Sequence, residues 1–274
     1  MKKKILTLVL AALMLLTALT LTACGPKYNT VDDIKAAGKL VIYTEAGFAP
    51  YEFVYENEIV GVDIEIMKKV AQKLGVELVV EDVNFDSITG AVKGGKADAG
   101  AAGMTITAER AEEVDFSIPY ASTEQYVIVT ADNTTITSVE SLVGKTIGVQ
   151  QGTTSDFLVD ELIADGTLAG STLTPYDAPA LAAAALGTKV DAVVTDKLTA
   201  EVIVAANGNA YKAFKLTKAD GSDAAEVEEY GVCVGKGNES LLAVINEVLE
   251  ELLSDGSVAA WEKQYNEIYA TIEE

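Results

Sequence analysis

The stretch VDIEIMKKVAQKLG, residues 62–75, sets Ile64, Met67, Val70, Ala71 and Leu74 at i, i+3, i+4 spacing. That is one apolar face of a helix, and Gly75 stops it. The apolar runs around it are shorter and unbroken. KLVIYT (39–44) and VELVVEDV read as strands, and SITGAVKGGKAD as a short helix leading into a further strand, AGAAG. Ahead of them TVDDI sets Thr30 as the N-cap of a first helix that Gly38 ends, and residues 45–61 form a Gly/Pro-punctuated loop with room for a small hairpin. The same order then recurs without sequence repetition. KTIGVQ (145–150) is a strand, QGTTSDFLVDELIADG a helix opened by a glycine, STLTPYD a strand, APALAAAALGTK a helix, and VDAVVTD (190–196) a strand running into the helix KLTAEVIVAANG. Two helices close the chain, NESLLAVINEVLEELLSDG with Asn238 as N-cap, and SVAAWEKQYNEIYATIEE.

Strands alternating with helices predict an α/β fold with mostly parallel sheets. Two further apolar strands, EQYVIVTA (124–131) and EEYGVCVGKG (228–237), fall between the two halves. They predict a two-lobed molecule, its lobes joined by two crossing strands with a cleft between. Lobe 1 is expected to comprise residues 39–125 and 231–274, and lobe 2 residues 126–230. Ligands of open α/β sheets bind beyond the carboxyl ends of the strands.

The N-terminus changes this picture. MKKK is a short basic segment, followed by the apolar run ILTLVLAALMLLTALTLT and then LTAC, Leu21 to Cys24. That combination resembles a bacterial lipoprotein signal and its cleavage box. An uncleaved membrane anchor is the competing reading. Residues 1–23 are therefore expected to be a signal peptide, and residues 24–38 a spacer and short helix behind a lipidated Cys24, tethered to the outer face of the cell membrane. Three of the chain's 20 basic residues lie in this leader, so the remainder has 17 against 42 acidic ones, a net of −25. Such a charge argues against nucleic acid and against electrostatic docking on anionic lipid. With no histidine and only Cys233 left, neither a disulfide nor a transition-metal site is expected, and no nucleotide fingerprint is present, so no cofactor is expected.

The chemistry concentrates at strand ends. Arg110 is the only arginine in 274 residues, and it closes AAGMTITAER. A planar guanidinium binds a carboxylate through two parallel hydrogen bonds and tolerates partial burial. Thr105 and Thr107 stand beside it, and Gly103 allows close approach to the main chain. The competing reading is an ion pair with Glu112, Glu113 or Asp115. In VQQGTTSD a strand ends at Gln150 and Thr153 to Ser155 open a helix, whose free N–H groups attract an anion, unless these residues are only an ordinary cap. Thr195 and Asp196 end another strand, where Asp196 either caps the next helix or accepts from an ammonium group. Glu45 and Phe48 follow the first strand, and Phe85 is read as lying on a loop.

The segments AGMTITAERAEEVDFSIPY, LVGKTIGVQQGTTSD, AALGTKVDAVVTD and YGVCVGKGNESLLAVINEVLEELLSDGSVAAWEKQY resemble, in order and spacing, the family 3 solute-binding proteins that serve ABC importers. The resemblance spans roughly residues 30–270 and implies a periplasmic-binding-protein-like (type II) fold closing on a free amino acid. It implies that Arg110 grips the α-carboxylate, with the N–H groups of Thr105 and Thr154, and that Asp196, the Gly103 carbonyl and the Thr105 hydroxyl hold the α-ammonium. Phe48 and Phe85 would sandwich the side chain, while Gln150, Thr195, Ser155 and Glu45 line its far end. The family often has an aspartate where this chain has Glu45. A basic ligand side chain paired with Glu45 and a neutral polar one bonded to Gln150 and Thr195 both stay open. The implied role is a monomeric receptor for an ABC permease, not an enzyme. A dehydratase on the same scaffold, using Glu45 or Asp196 as general acid, and a sensing module for a separate membrane partner are the alternatives.

Overall fold

A computed structural model describes residues 28–208 and 210–272. The expected signal peptide and Cys24 lie outside the described residues. The first helix, α1 (Val31–Ala37), has a reciprocal cap between Thr30 and Asp33 and ends at Gly38 in the left-handed region, φ 70°.

One five-stranded sheet is built from β1 (Lys39–Thr44), β5 (Glu77–Asp82), β6 (Ala99–Gly100), β7 (Val114–Phe116) and β15 (Cys233–Gly235). Its order is β5-β1-β6-β15-β7, with β15 antiparallel to both neighbours. A second sheet holds β9 (Gln125–Thr130), β10 (Thr146–Gln150), β11 (Thr172–Tyr176), β12 (Ala192–Asp196) and β13 (Tyr211–Lys215), in the order β11-β10-β12-β9-β13. Residues 47–60 form the small meander β2 (Gly47–Phe48), β3 (Glu52–Tyr55) and β4 (Glu58–Val60).

Between the sheets the chain crosses on β8 (Ala121–Thr123) and returns on β14 (Glu228–Tyr230), an antiparallel pair that aligns Thr123 with Glu228. The crossing is shorter than the two segments read from the sequence. Residues 125–130 are instead interior to the second sheet, and 233–235 belong to the first.

The helices cover the sheets as their apolar stripes dictate. On α2 (Val62–Leu74) the expected stripe is buried, with Met67 and Val70 wholly inaccessible, and it packs on α8 (Glu239–Ser254) and α9 (Ser257–Tyr269). Burying each such side chain stabilises the fold by about 1.5–3 kcal/mol. The other face of the first sheet is closed by α3 (Phe85–Lys93), whose Ile88 and Val92 pack with Met104, Val114 and Cys233. Burial pushes the Cys233 thiol up to about 12, which leaves it an inert core residue.

Between α4 (Ala108–Glu113), α5 (Thr154–Ala164), α6 (Pro179–Ala183) and α7 (Lys197–Ala206), α6 departs most from expectation. The alanine-rich run stops at Ala183 because Val190 must return beside Leu186 to start the next strand. The N–H groups of Thr188, Lys189 and Val190 all converge on the Ala185 carbonyl in that turn.

Candidate functional site

Four parallel strands deliver their carboxyl ends to one place: β1 before Glu45, β6 before Gly103, β10 at Gln150 and β12 at Asp196. A small, nearly filled pocket lies there, walled by Phe48, Phe85, Ala102, Gly103, Thr105, Arg110, Gln150, Thr153, Thr154 and Asp196.

Arg110 stands in the first turn of α4, where Thr107 caps the helix by accepting from the Arg110 N–H. Its guanidinium donates to the Thr105 carbonyl at 2.7 Å and to the Gly152 carbonyl at 3.1 Å, and lies 5.2 Å from the centre of the Phe85 ring. The ion-pair reading does not hold. Glu113 pairs with Lys93 at 2.7 Å and Asp115 with Lys236 at 2.8 Å, and no carboxylate pairs with Arg110 among the described residues. Two of its five donors are thus committed, and three are free for an anion. Burial lowers its pKa, opposed by the nearby charge of Glu228.

Glycine is needed twice here. Gly103 has φ 50°, and a Cβ on it would meet the Phe48 ring at 2.7 Å, while its N–H donates to Asp63 Oδ2 at 2.8 Å. Gly152 has φ 76°, and a Cβ would stand 2.7 Å from the Asp86 Cβ, so the two halves touch at this point. Beyond it Thr153 caps α5 through the Asp156 N–H, leaving the first-turn N–H groups of Thr154 and Ser155 without intrahelical acceptors.

Asp196 occupies the N-cap position of α7 but makes no cap hydrogen bond, so the capping role is not the one it serves. Its carboxylate faces the cavity and accepts from Gln125 Nε2 at 3.1 Å. Burial, with the Glu228 charge beside it, pushes Asp196 up to about 7. Burial likewise pushes Glu45 up to about 7, although Gln150 Nε2 donates to it at 2.8 Å.

Of the expected site residues, Phe48, Phe85, Gly103, Thr105, Arg110, Gln150, Thr154 and Asp196 meet at this wall. Phe85 is the first residue of α3, not a loop residue. Three others stand off it. Glu45 is reached through Gln150, the Ser155 hydroxyl is turned to Gln125 Oε1 at 2.7 Å, and Thr195 is buried within β12.

Sequence reasoning missed the carboxyls behind the wall. Asp63 accepts from Gly103 N–H and from the Tyr120 hydroxyl, each at 2.8 Å, and burial pushes it up to about 6. Glu52 beside it is wholly buried, and burial together with the Asp63 charge holds it well above the usual carboxylate range. It also missed Gln125 and Glu228. The one available signal was the alternation in Glu228-Glu229-Tyr230, which puts Glu228 on the same face as buried Tyr230.

One strongly hydrogen-bonding cation and one carboxyl group thus line the same small pocket. The family model for bacterial extracellular solute-binding proteins, family 3, matches residues 40–268. The arginine-binding extracellular protein ArtP of Bacillus subtilis is 40% identical over 152 residues, 56% of this chain and 57% of that protein. A crystal structure of a mutant of ArgBP from T. maritima is similar at TM-score 0.76 and 36% identity, over 86% of this chain and 98% of that one. The amino acid ABC transporter substrate-binding protein AbpA of Streptococcus pneumoniae, solved bound to L-arginine, is similar at TM-score 0.79 and 29% identity, over 89% and 100%. These neighbours share the two-lobed type II periplasmic-binding fold, and the relatives so named are binding proteins. The chain belongs to the family 3 bacterial extracellular solute-binding proteins.

Proposed function

We propose that this protein captures a free basic L-amino acid, of the arginine type, by closing its two lobes on it, and delivers it to an ABC permease. The observation that carries the reading is that Arg110 and Asp196, one from each lobe, line the same small pocket. They are the charge complement of a zwitterion: a fork for the α-carboxylate and an acceptor for the α-ammonium. The Thr154 N–H adds to the first, and the Gly103 carbonyl with the Thr105 hydroxyl to the second. Phe48 and Phe85 flank the side chain. At its far end Gln150 and the Glu45 carboxylate offer acceptors, and no second arginine exists to receive an acidic ligand.

Closure would move lobe 1 (39–125 and 231–274) against lobe 2 (126–230) about β8 and β14. A lipidated Cys24 would hold the receptor at the outer face of the membrane beside its permease. A thermal-shift screen against the twenty amino acids tests the capture step. At a hundredfold excess over the dissociation constant a ligand adds about 2.7 kcal/mol, so arginine or lysine should raise the melting temperature clearly. No response to any of the twenty from protein refolded to strip bound solute would overturn the proposal.

A further inference from the structure

Glu228 lies outside the cavity yet is bonded to its wall. Thr105 and Thr154 line the cavity on one side, and on the other they line a surface groove together with Glu228. The Thr105 hydroxyl donates to Glu228 Oε2 at 2.8 Å and the Thr154 hydroxyl to the same oxygen at 2.7 Å. Gln125 Nε2 donates to Glu228 Oε1 at 2.9 Å. The main chain holds these groups in register, since Thr105 bridges to Tyr230 and the Ile106 N–H donates to the Glu229 carbonyl at 2.8 Å.

A carboxylate accepts only, and a hydroxyl has one proton to give. Each threonine gives it to Glu228. The Thr105 oxygen therefore turns only lone pairs toward the cavity, which makes it an acceptor, suited to an ammonium and unsuited to a carboxylate. The Thr154 hydroxyl is also spent, so Thr154 can serve an anion only through its N–H. Gln125 is fixed in the same way, its Oε1 taking the Ser155 proton while its Nε2 reaches Asp196. One residue on the crossing strand thus sets the hydrogen-bonding direction of three side chains drawn from both lobes.

Building on the amino-acid reading above, we propose that Glu228 is a positioning residue that selects for the α-ammonium group, acting through the Thr105 hydroxyl without touching the ligand. Among the described residues the hydrogen-bond partners of Glu228 are hydroxyl and amide protons, with the Arg110 charge nearby.

The test compares probes with and without the α-amino group: L-arginine against 5-guanidinopentanoate, and L-lysine against 6-aminohexanoate. Glu228→Met removes both acceptor oxygens and keeps the side chain's reach, and Glu228→Ala serves if it does not fold. The preference for the α-amino acid should fall by about tenfold or more, the range of one hydrogen bond to a charged group. In a Thr105→Val background the same substitution should leave that preference unchanged, because its route to the ligand is gone. An undiminished preference in the single variant would overturn the role. So would an equal loss in both backgrounds, which would make it a plain effect of charge. Wild-type protein that binds none of the twenty amino acids would instead remove the function proposed above.

Discussion

The Arg110 Nη2 donates to the Gly152 carbonyl across the cleft, 3.1 Å away, while its Nη1 donates to the Thr105 carbonyl on its own side. The guanidinium is therefore a joint between the halves, and in the proposed function it is also the receptor for the ligand's carboxylate. A lysine could reach one of these partners but could not present a fork.

Arg110→Lys should accordingly weaken amino-acid binding by at least about 2 kcal/mol, roughly thirtyfold, with the fold retained. Isothermal titration with L-arginine measures it. Equal affinity in a folded variant would remove Arg110 from the site.

Gly152→Ala places a methyl group where Asp86 stands and forces alanine into the left-handed region, φ 76°. Both penalties apply where the halves meet, so closure should suffer more than folding. X-ray scattering should show less contraction on adding ligand than in the wild type. Full contraction would mean that the halves do not need this approach.

Asp196 and Glu45 both titrate at about 7 without ligand, and burial is the main cause at each. Their folded pKa values lie above the unfolded ones near 4, so the folded protein holds protons that the unfolded chain releases. The contribution of these two groups to the stability of the ligand-free protein should therefore be fully present below about pH 4 and be lost as pH rises through 7. Binding has the opposite slope. An ammonium against Asp196 favours the carboxylate, so binding near pH 6 should release a proton, and affinity should fall on acidification from pH 8 to pH 5. Calorimetry in buffers of different ionisation enthalpy reads the proton count directly. Zero proton release at pH 6 would count against Asp196 as the ammonium's partner.

Glu45→Gln keeps the contact with Gln150 and removes the distal charge. The preference for arginine or lysine over glutamine should shrink by about tenfold, the worth of one partly buried charge pair. A preference that survives would put the origin of basic-side-chain selectivity elsewhere in the cleft.

Local pattern made much of this legible. The stripe on α2 and the caps at Thr30 and Asn238 are encoded within a few residues of where they act. Arg110 stood out by residue type alone, since a chain rich in lysine uses arginine where planarity matters. Other features depend on distance in the fold. Gln125 and Glu228 are 103 residues apart in sequence and meet only because β14 lies beside β8. Glu52 and Asp63 become unusual only through complete burial, which no composition argument supplies. Phe85 looked like a loop residue because the helix begins with it, capped by Asn84 without a side-chain bond. The alanine run after Pro179 has strong helical propensity, and the tertiary requirement to turn back at Leu186 overrides it.

The most direct test of amino-acid capture is calorimetric titration of the protein, refolded from denaturant to strip any bound solute, with L-arginine and L-lysine. Capture by the Arg110–Asp196 cleft predicts saturable binding of at least one of them, one molecule per chain, and its loss in a folded Asp196→Ala variant. Absence of binding by either, or binding that Asp196→Ala leaves intact, would contradict it.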